Sequence, residues 1–249
     1  MDRGGAHEYR GWKLMRGFGK SAYAGQQLHT DKPGGQFRGW DFRDAQLHKV
    51  NLRGADFRDA DLRGATFWEC DLRGADLSHV NGVVEKSPER ETRFLGCDMR
   101  GAILDGARLN GAVLGHRYSF HNQFPPYTAT DLTAASLRGT QLSRANLHGV
   151  NFTNANLSGA DLSEANLTAG KMAGALIIGM VMAGAHLRAA DFSGAQGGTI
   201  EQFQEASLTS ANMNHHAMYT KPARLPEAIA QAWLQEALEG VGGLAKAVR

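Results

Sequence analysis

Few residues of this chain are spaced for chemistry. Cys70 and Cys97 could serve as redox or metal-binding thiols, and His215 and His216 stand side by side. A zinc site needs four ligands, usually in closely spaced pairs, which two distant thiols do not supply. Adjacent histidines on extended chain point to opposite sides, a poor arrangement for shared ligation. No nucleophile elbow, zincin helix or phosphate loop is present. The glycines at Gly240–Gly243 do not follow a strand of a βαβ unit. Asp and Asn are frequent but recur at one fixed place in a repeat, so carboxylate pairs arise without catalytic meaning. These residues predict no catalytic centre, no metal and no cofactor. The types that binding hot spots favour, aromatics and Arg, gather instead in one stretch: His116, Arg117, Tyr118, Phe120, His121, Phe124 and Tyr127.

What must position these residues is a repeat. From Phe37 to Met218 a large apolar residue recurs every fifth position, most clearly at Leu132, Leu137, Leu142, Leu147, Phe152, Leu157, Leu162, Leu167, Met172, Ile177, Met182, Leu187 and Phe192. Five is neither the helical nor the strand period. Two residues before the large one there is almost always a small one, as Ala55 before Phe57 and Ala160 before Leu162. Residues two apart in extended chain share a side. The large and small residues therefore point inward, and the polar remainder points out. A period this short predicts a solenoid whose repeats bury a core only by stacking.

The segments Asn51–Phe67 and Asn156–Leu167 follow the pattern A-(D/N)-L-x-x. In this the chain resembles the pentapeptide-repeat family. The resemblance implies an all-β fold, a right-handed quadrilateral β-helix with one pentapeptide per face. Four pentapeptides per coil then make about eight coils, each resting on its neighbours. It also implies a kind of work. The chain is similar to members that bind type II topoisomerases, DNA gyrase or topoisomerase IV, and protect them from inhibitors. Some of those members carry projecting loops, and several dimerise through a C-terminal helix.

Interruptions divide the chain. Residues 1–32 lack the repeat, are basic and Gly-rich, and read as a cap or arm. Residues 33–218 form the solenoid, with loops expected at 78–93 and 115–130. The first loop is charged and offers Glu85, Arg90 and Arg93; the second holds the aromatic stretch named above. Both are candidate partner-binding elements. Trp40 in a small inward slot suggests a bulky plug at the first coil. Glu201 would occupy such a slot before Phe203, which a packed core rejects, so irregular structure is expected there. Residues 219–249 read as a helix: Pro226 fits its first turn and Gly240 its stop. Ile229, Trp233, Leu234, Ala237 and Leu238 line one face, suited to capping the last coil or joining two copies. Leu176, Ile178 and Val181 occupy outward positions where polar residues normally stand, a predicted contact patch.

Composition narrows the classes. The 249 residues carry a net charge of +2. No apolar run is long enough for a membrane span, and no signal segment opens the chain. Two core-slot thiols suit a reducing compartment, so the cytoplasm is expected. Asp56, Asp61, Asp71 and Asp76 alternate with Arg53, Arg58, Arg63 and Arg73. This balance speaks against a duplex-like acidic surface. The Arg residues fall on successive faces and form no stripe for nucleic acid. A non-catalytic protein-binding rod is expected. Its partner is a topoisomerase by resemblance; the alternative is a generic scaffold or secreted effector.

Overall fold

Five residues suffice for one side of a square. Three are extended, with the small and large residues inward and the polar one between them outward; two turn the corner. At a typical corner the N–H of Ala55 donates to the carbonyl of Leu52 at 3.0 Å. Gly54 between them has φ 66°, the positive value that a type II turn requires. The computed structural model describes residues 27–28, 30–83, 91–115, 129–204, 206 and 225–231. These corners repeat along it, and the chain winds as a right-handed quadrilateral β-helix.

Coils stack in parallel register. Face 1 carries the bridge series Gln36, Asp56, Asp76, Ile103, Ser136, Asn156, Leu176 and Gln196; face 2 runs from Asp41 through Asp61, Asn81, Arg108, Gln141 and Asp161 to Val181. Face 3 begins with four parallel strands: β1 (Gln27–Leu28), β2 (Gln46–His48), β3 (Thr66–Trp68) and β4 (Arg93–Leu95). It continues through Val113, Asn146 and Asn166 to His186. Face 4 runs from Asn51 through Asp71, Asp98, Asp131, Asn151 and Lys171 to Asp191. Backbone bonds tie each coil to the next: Phe37 donates to Asp56 at 2.7 Å, and Asp56 to Gly35 at 2.8 Å.

The core is a narrow continuous column. Phe42, Phe57, Phe67, Phe94, Phe152 and Phe192 are wholly buried with the intervening Leu and Ala residues. The Phe67 and Phe94 rings stack at 4.9 Å. At the first coil Trp40 lies half-buried, edge-on to Phe37 at 5.2 Å, the plug its sequence position suggests. Polar residues in the small slot bond to a carbonyl of the coil before: Thr92 to Leu62 at 2.8 Å, Thr130 to Phe94 at 2.6 Å and Thr140 to Leu104 at 2.8 Å. No buried hydroxyl among them goes unmatched.

The boundaries differ from those expected. The ladder is already formed at β1, and Asp31 accepts the N–H of Asn51 at 2.8 Å, so residues 27–28 and 30–32 belong to the solenoid. The first interruption is shorter than 78–93: Asn81 pairs with Arg108, and β4 starts at Arg93. The rung at 81–83 escapes the pattern because Gly82 stands in the large position. Leu109 and Thr92 fill the space, approaching within 2.7 and 2.9 Å of where its Cβ would lie. The last bridge is Gln196. Phe203, one position out of phase with the run that ends at Phe192, lies on a short helix, α1 (Ile200–Gln204). The Thr199 N–H donates to Gln202 Oε1 at 2.7 Å, half of a capping box. Gln202 also donates to Met180 O at 2.7 Å, and Phe203 meets Phe192 edge-on at 5.1 Å. Glu201 is thereby exposed, which resolves its conflict with the inward slot.

Candidate functional site

The outward Asp and Asn residues are turn-makers first. Each accepts the N–H two residues on, as Asp76 from Ser78 at 3.0 Å, Asp131 from Thr133 at 3.0 Å and Asn156 from Ser158 at 3.1 Å. This closes the corner whose N–H would otherwise lack a partner. Where coil 5 has Ser136 in that position, Asp105 of the coil before substitutes, accepting the Arg138 N–H at 3.0 Å.

In the N-terminal coils the same carboxylates also hold arginines. Arg43, Arg58, Arg63, Arg73 and Arg100 each grip the Asp two residues earlier through Nε and an Nη. Arg43, Arg58 and Arg73 also reach the Asp of the next coil at 3.6–3.8 Å. The guanidinium hydrogen bonds hold Asp41, Asp56, Asp71 and Asp98 below the ordinary carboxylate value. A fork bound in this way lies flat on its face.

Charge balances face by face. Face 1 sets Arg38, Arg58 and Arg138 against Asp56, Asp59, Asp76 and Asp105; face 2 sets Arg43, Arg63, Arg108 and Arg144 against Asp41, Asp44, Asp61, Asp161 and Glu164. Face 4 sets Arg53, Arg73, Arg100 and Lys171 against Asp71, Asp98, Asp131 and Asp191. Face 3 is different among the described residues: it carries Lys49, Arg93 and Arg188 with Glu69, Glu91 pairs with Arg93 at its edge, and no Arg stands two residues after an Asp as in the clamps. Lys49 pairs with Glu69 at 3.2 Å, and the His48 and Trp68 rings lie 4.7 Å apart.

Both interruptions border this third face. The chain leaves face 2 at Val83 and re-enters face 3 at Thr92; one coil later it leaves face 3 at Gly115 and re-enters face 4 at Thr130. Of the predicted loop residues, Arg93 is not in a loop: it stands on β4, half-buried, 3.7 Å from Glu91. Glu85, Arg90, His116, Arg117, Tyr118, Phe120, His121, Phe124 and Tyr127 lie outside the described residues. Val113 and His148, outward by register on face 3, are buried at 2 % and 6 % exposure.

The apolar patch is present. Ile178 is 54 % exposed and Val181 46 %, with Leu176 half-buried beside them. They occupy the edge between faces 1 and 2 on the last coil. Ile103, 39 % exposed on face 1, was not singled out by sequence; a lone apolar residue in a charged stretch gives no pattern. At the C-terminal side, residues 227–231 are helical, and Ile229 is 7 % exposed within the rod's own core cluster. Trp233, Leu234, Ala237 and Leu238 lie outside the described residues. Among the described residues no group of His, Cys, Asp and Glu is arranged to hold a metal, and no helix is long and apolar enough to cross a membrane.

The family description "Pentapeptide repeats" matches residues 41–78, 90–115 and 130–169, as 8 copies. No curated protein matches the chain. Among solved structures, one similar chain is HetL, a pentapeptide repeat protein involved in heterocyst differentiation regulation, from the cyanobacterium Nostoc sp. strain PCC 7120. It is 26 % identical, covering 76 % of this chain and 84 % of that one, with a TM-score of 0.38. Another is full-length QnrB1, a plasmid-mediated fluoroquinolone resistance protein, at 16 % identity, covering 89 % and 98 %, with a TM-score of 0.36. A third is Rfr23 from the cyanobacterium Cyanothece 51142, at 21 % identity, covering 55 % and 88 %, with a TM-score of 0.22.

Proposed function

We propose, from the premise that this chain belongs to the pentapeptide-repeat family, that it is a non-catalytic rod whose work is to dock a protein partner. The observation that carries this reading is the convergence of both interruptions on face 3, on successive coils, where the Arg–Asp clamps are missing. Segments inserted at the two edges of one face of a rigid scaffold frame that face as one combined surface. The partner residues are then Glu85, Arg90, Arg93 and the 116–127 stretch. The exposed Leu176, Ile178 and Val181 supply a second apolar contact, either to the same partner or to another copy. A homodimer through Trp233, Leu234, Ala237 and Leu238 belongs to the same reading, with Ile229 kept for the cap.

The partner implied by the sequence resemblance is DNA gyrase or topoisomerase IV, protected from an inhibitor in the cytoplasm. Balanced faces support docking through the interruptions and the apolar patch over imitation of a duplex, which needs a dense negative array. Direct nucleic-acid binding by the coils is disfavoured, since their best-placed guanidinia are already clamped to carboxylates. A generic scaffold or effector is the second reading, favoured by the same balance together with the exposed patch. Gyrase supercoiling and inhibitor-induced cleavage, measured with purified protein at micromolar concentration, separate the two. Protection that disappears on deleting 116–128 supports the topoisomerase reading. If neither activity nor inhibitor sensitivity moves, the topoisomerase partner is excluded and the scaffold reading stands.

A further inference from the structure

Cys70 and Cys97 occupy the small inward slot of face 4 on successive coils, since the residues that follow them, Asp71 and Asp98, are register partners. Both thiols are free and buried, at 1 % and 2 % exposure. Both point the same way: Cys70 Sγ donates to Leu47 O at 3.4 Å and Cys97 Sγ to Phe67 O at 3.3 Å. The other slots of this face hold Val50, Thr130, Val150, Gly170 and Ala190, so a sulfur is of a size the column accepts; what sets the pair apart is that two thiols stack on successive coils. In-register rungs put two Cα atoms about 4.8 Å apart, inside the range a disulfide spans.

We propose that Cys70 and Cys97 are a peroxide-responsive pair that closes to a disulfide and staples coil 2 to coil 3 beside face 3. Interaction with the neighbouring Cys97 side chain lowers Cys70 below the ordinary thiol value, whereas burial pushes Cys97 up. Of the two, Cys70 therefore gives up its proton more readily, and its thiolate attacks. Its sulfur displaces hydroxide from hydrogen peroxide and becomes a sulfenic acid. The Cys97 sulfur then attacks that sulfur; its proton and the departing hydroxyl leave as water. In sum, two thiols and one peroxide give one disulfide and two waters. The oxidant is small enough to enter during local opening of the ladder.

The closed ring contains the whole first interruption, 84–90. Cross-linking such a span removes freedom chiefly from the unfolded chain. The staple would therefore fix the floor on which that segment is mounted, whatever partner it meets. It does not depend on the topoisomerase reading.

The test treats the folded, reduced full chain with hydrogen peroxide and follows intact mass, free thiols, peptide map and melting. Expected are loss of two hydrogens, a Cys70–Cys97 linked peptide and a Tm rise of about 5 °C that dithiothreitol reverses. The variants C70A and C97A, which carry the residue most slots hold, should fold and show neither change. The proposal is overturned if both thiols persist in the folded protein while the urea-unfolded chain oxidises. It is equally overturned if the linked protein melts no higher than the reduced one.

Discussion

At the scale of single residues, the corners separate steric demand from conformational demand. Gly115 sits at the base of the second interruption, and a Cβ there would lie 2.2 Å from the His148 N and 2.6 Å from its O. Backbone cannot rotate away, so coils 4 and 5 must part. Gly115→Ala should lose about 3 kcal/mol by urea unfolding. Gly54 has φ 66° but nothing within 4 Å of its missing Cβ. Gly54→Ala meets only left-handed strain, about 1 kcal/mol. The converse holds at Ala169, with φ 56°. Ala169→Gly relieves that strain but frees the unfolded chain, for a net gain of about 0.5 kcal/mol. If Gly54→Ala proved as damaging as Gly115→Ala, corner geometry and not coil contact would limit stability.

At the scale of the element, the Arg–Asp clamps make the N-terminal coils pH-sensitive from below. Their carboxyls have folded values under the unfolded one of about 3.9. The stabilisation is complete above that value and is lost as pH falls through the lowered folded values. Tm should be flat from pH 7 to about pH 5 and fall below about pH 4. Asp71→Asn with Asp98→Asn should flatten the fall, and added salt should shrink it, because the paired arginines are 40 % and 51 % exposed. A Tm curve unchanged in the double variant would mean the clamps do not support the fold. The cap makes a second prediction. Phe203→Ala should cost about 3 kcal/mol and raise hydrogen exchange in coil 7 while coils 1–4 stay protected. These elements were unequally legible in sequence. The inward and outward sides of the rungs follow from a five-residue period, because large and small residues alternate with polar ones as the chain's own geometry demands. The rung at 81–83 was hidden, since its large position is Gly82 and its filling comes from Leu109 and Thr92. Helix α1 was hidden for the opposite reason: Phe203 slips the phase by one but is in step with Leu208, Met213 and Met218 after it, and only Thr199 with Gln202 marks a helix start. Arg93 was misplaced with the loop by the same oversight that lost the rung before it. The Leu176, Ile178 and Val181 patch was readable because outward positions are known once the phase is known.

At the scale of the whole molecule, the arrangement of charge decides how a partner is met. Three faces set cations against anions almost one for one, and the fourth is mildly basic with few carboxylates. Long-range fields from such a rod cancel within about one Debye length, roughly 10 Å at moderate salt. On the proposed docking reading, encounter is therefore unsteered and affinity comes from contacts at short range, at the interruptions on face 3 and the apolar edge at Ile178 and Val181. A duplex-like acidic rod would behave otherwise, since charge-driven duplex binding weakens by about a thousandfold or more between 50 and 200 mM salt. Binding to the proposed topoisomerase partner, followed by calorimetry across the same range, should weaken less than about threefold. Ile178→Asp with Val181→Asp should reduce affinity at least tenfold at either salt, the loss of two apolar contacts at about 25 cal/mol per Å² plus the burial of new charge. A steep salt dependence together with an indifferent double variant would reverse the assignment. The charged faces, not the apolar edge, would then be the surface the rod exists to present.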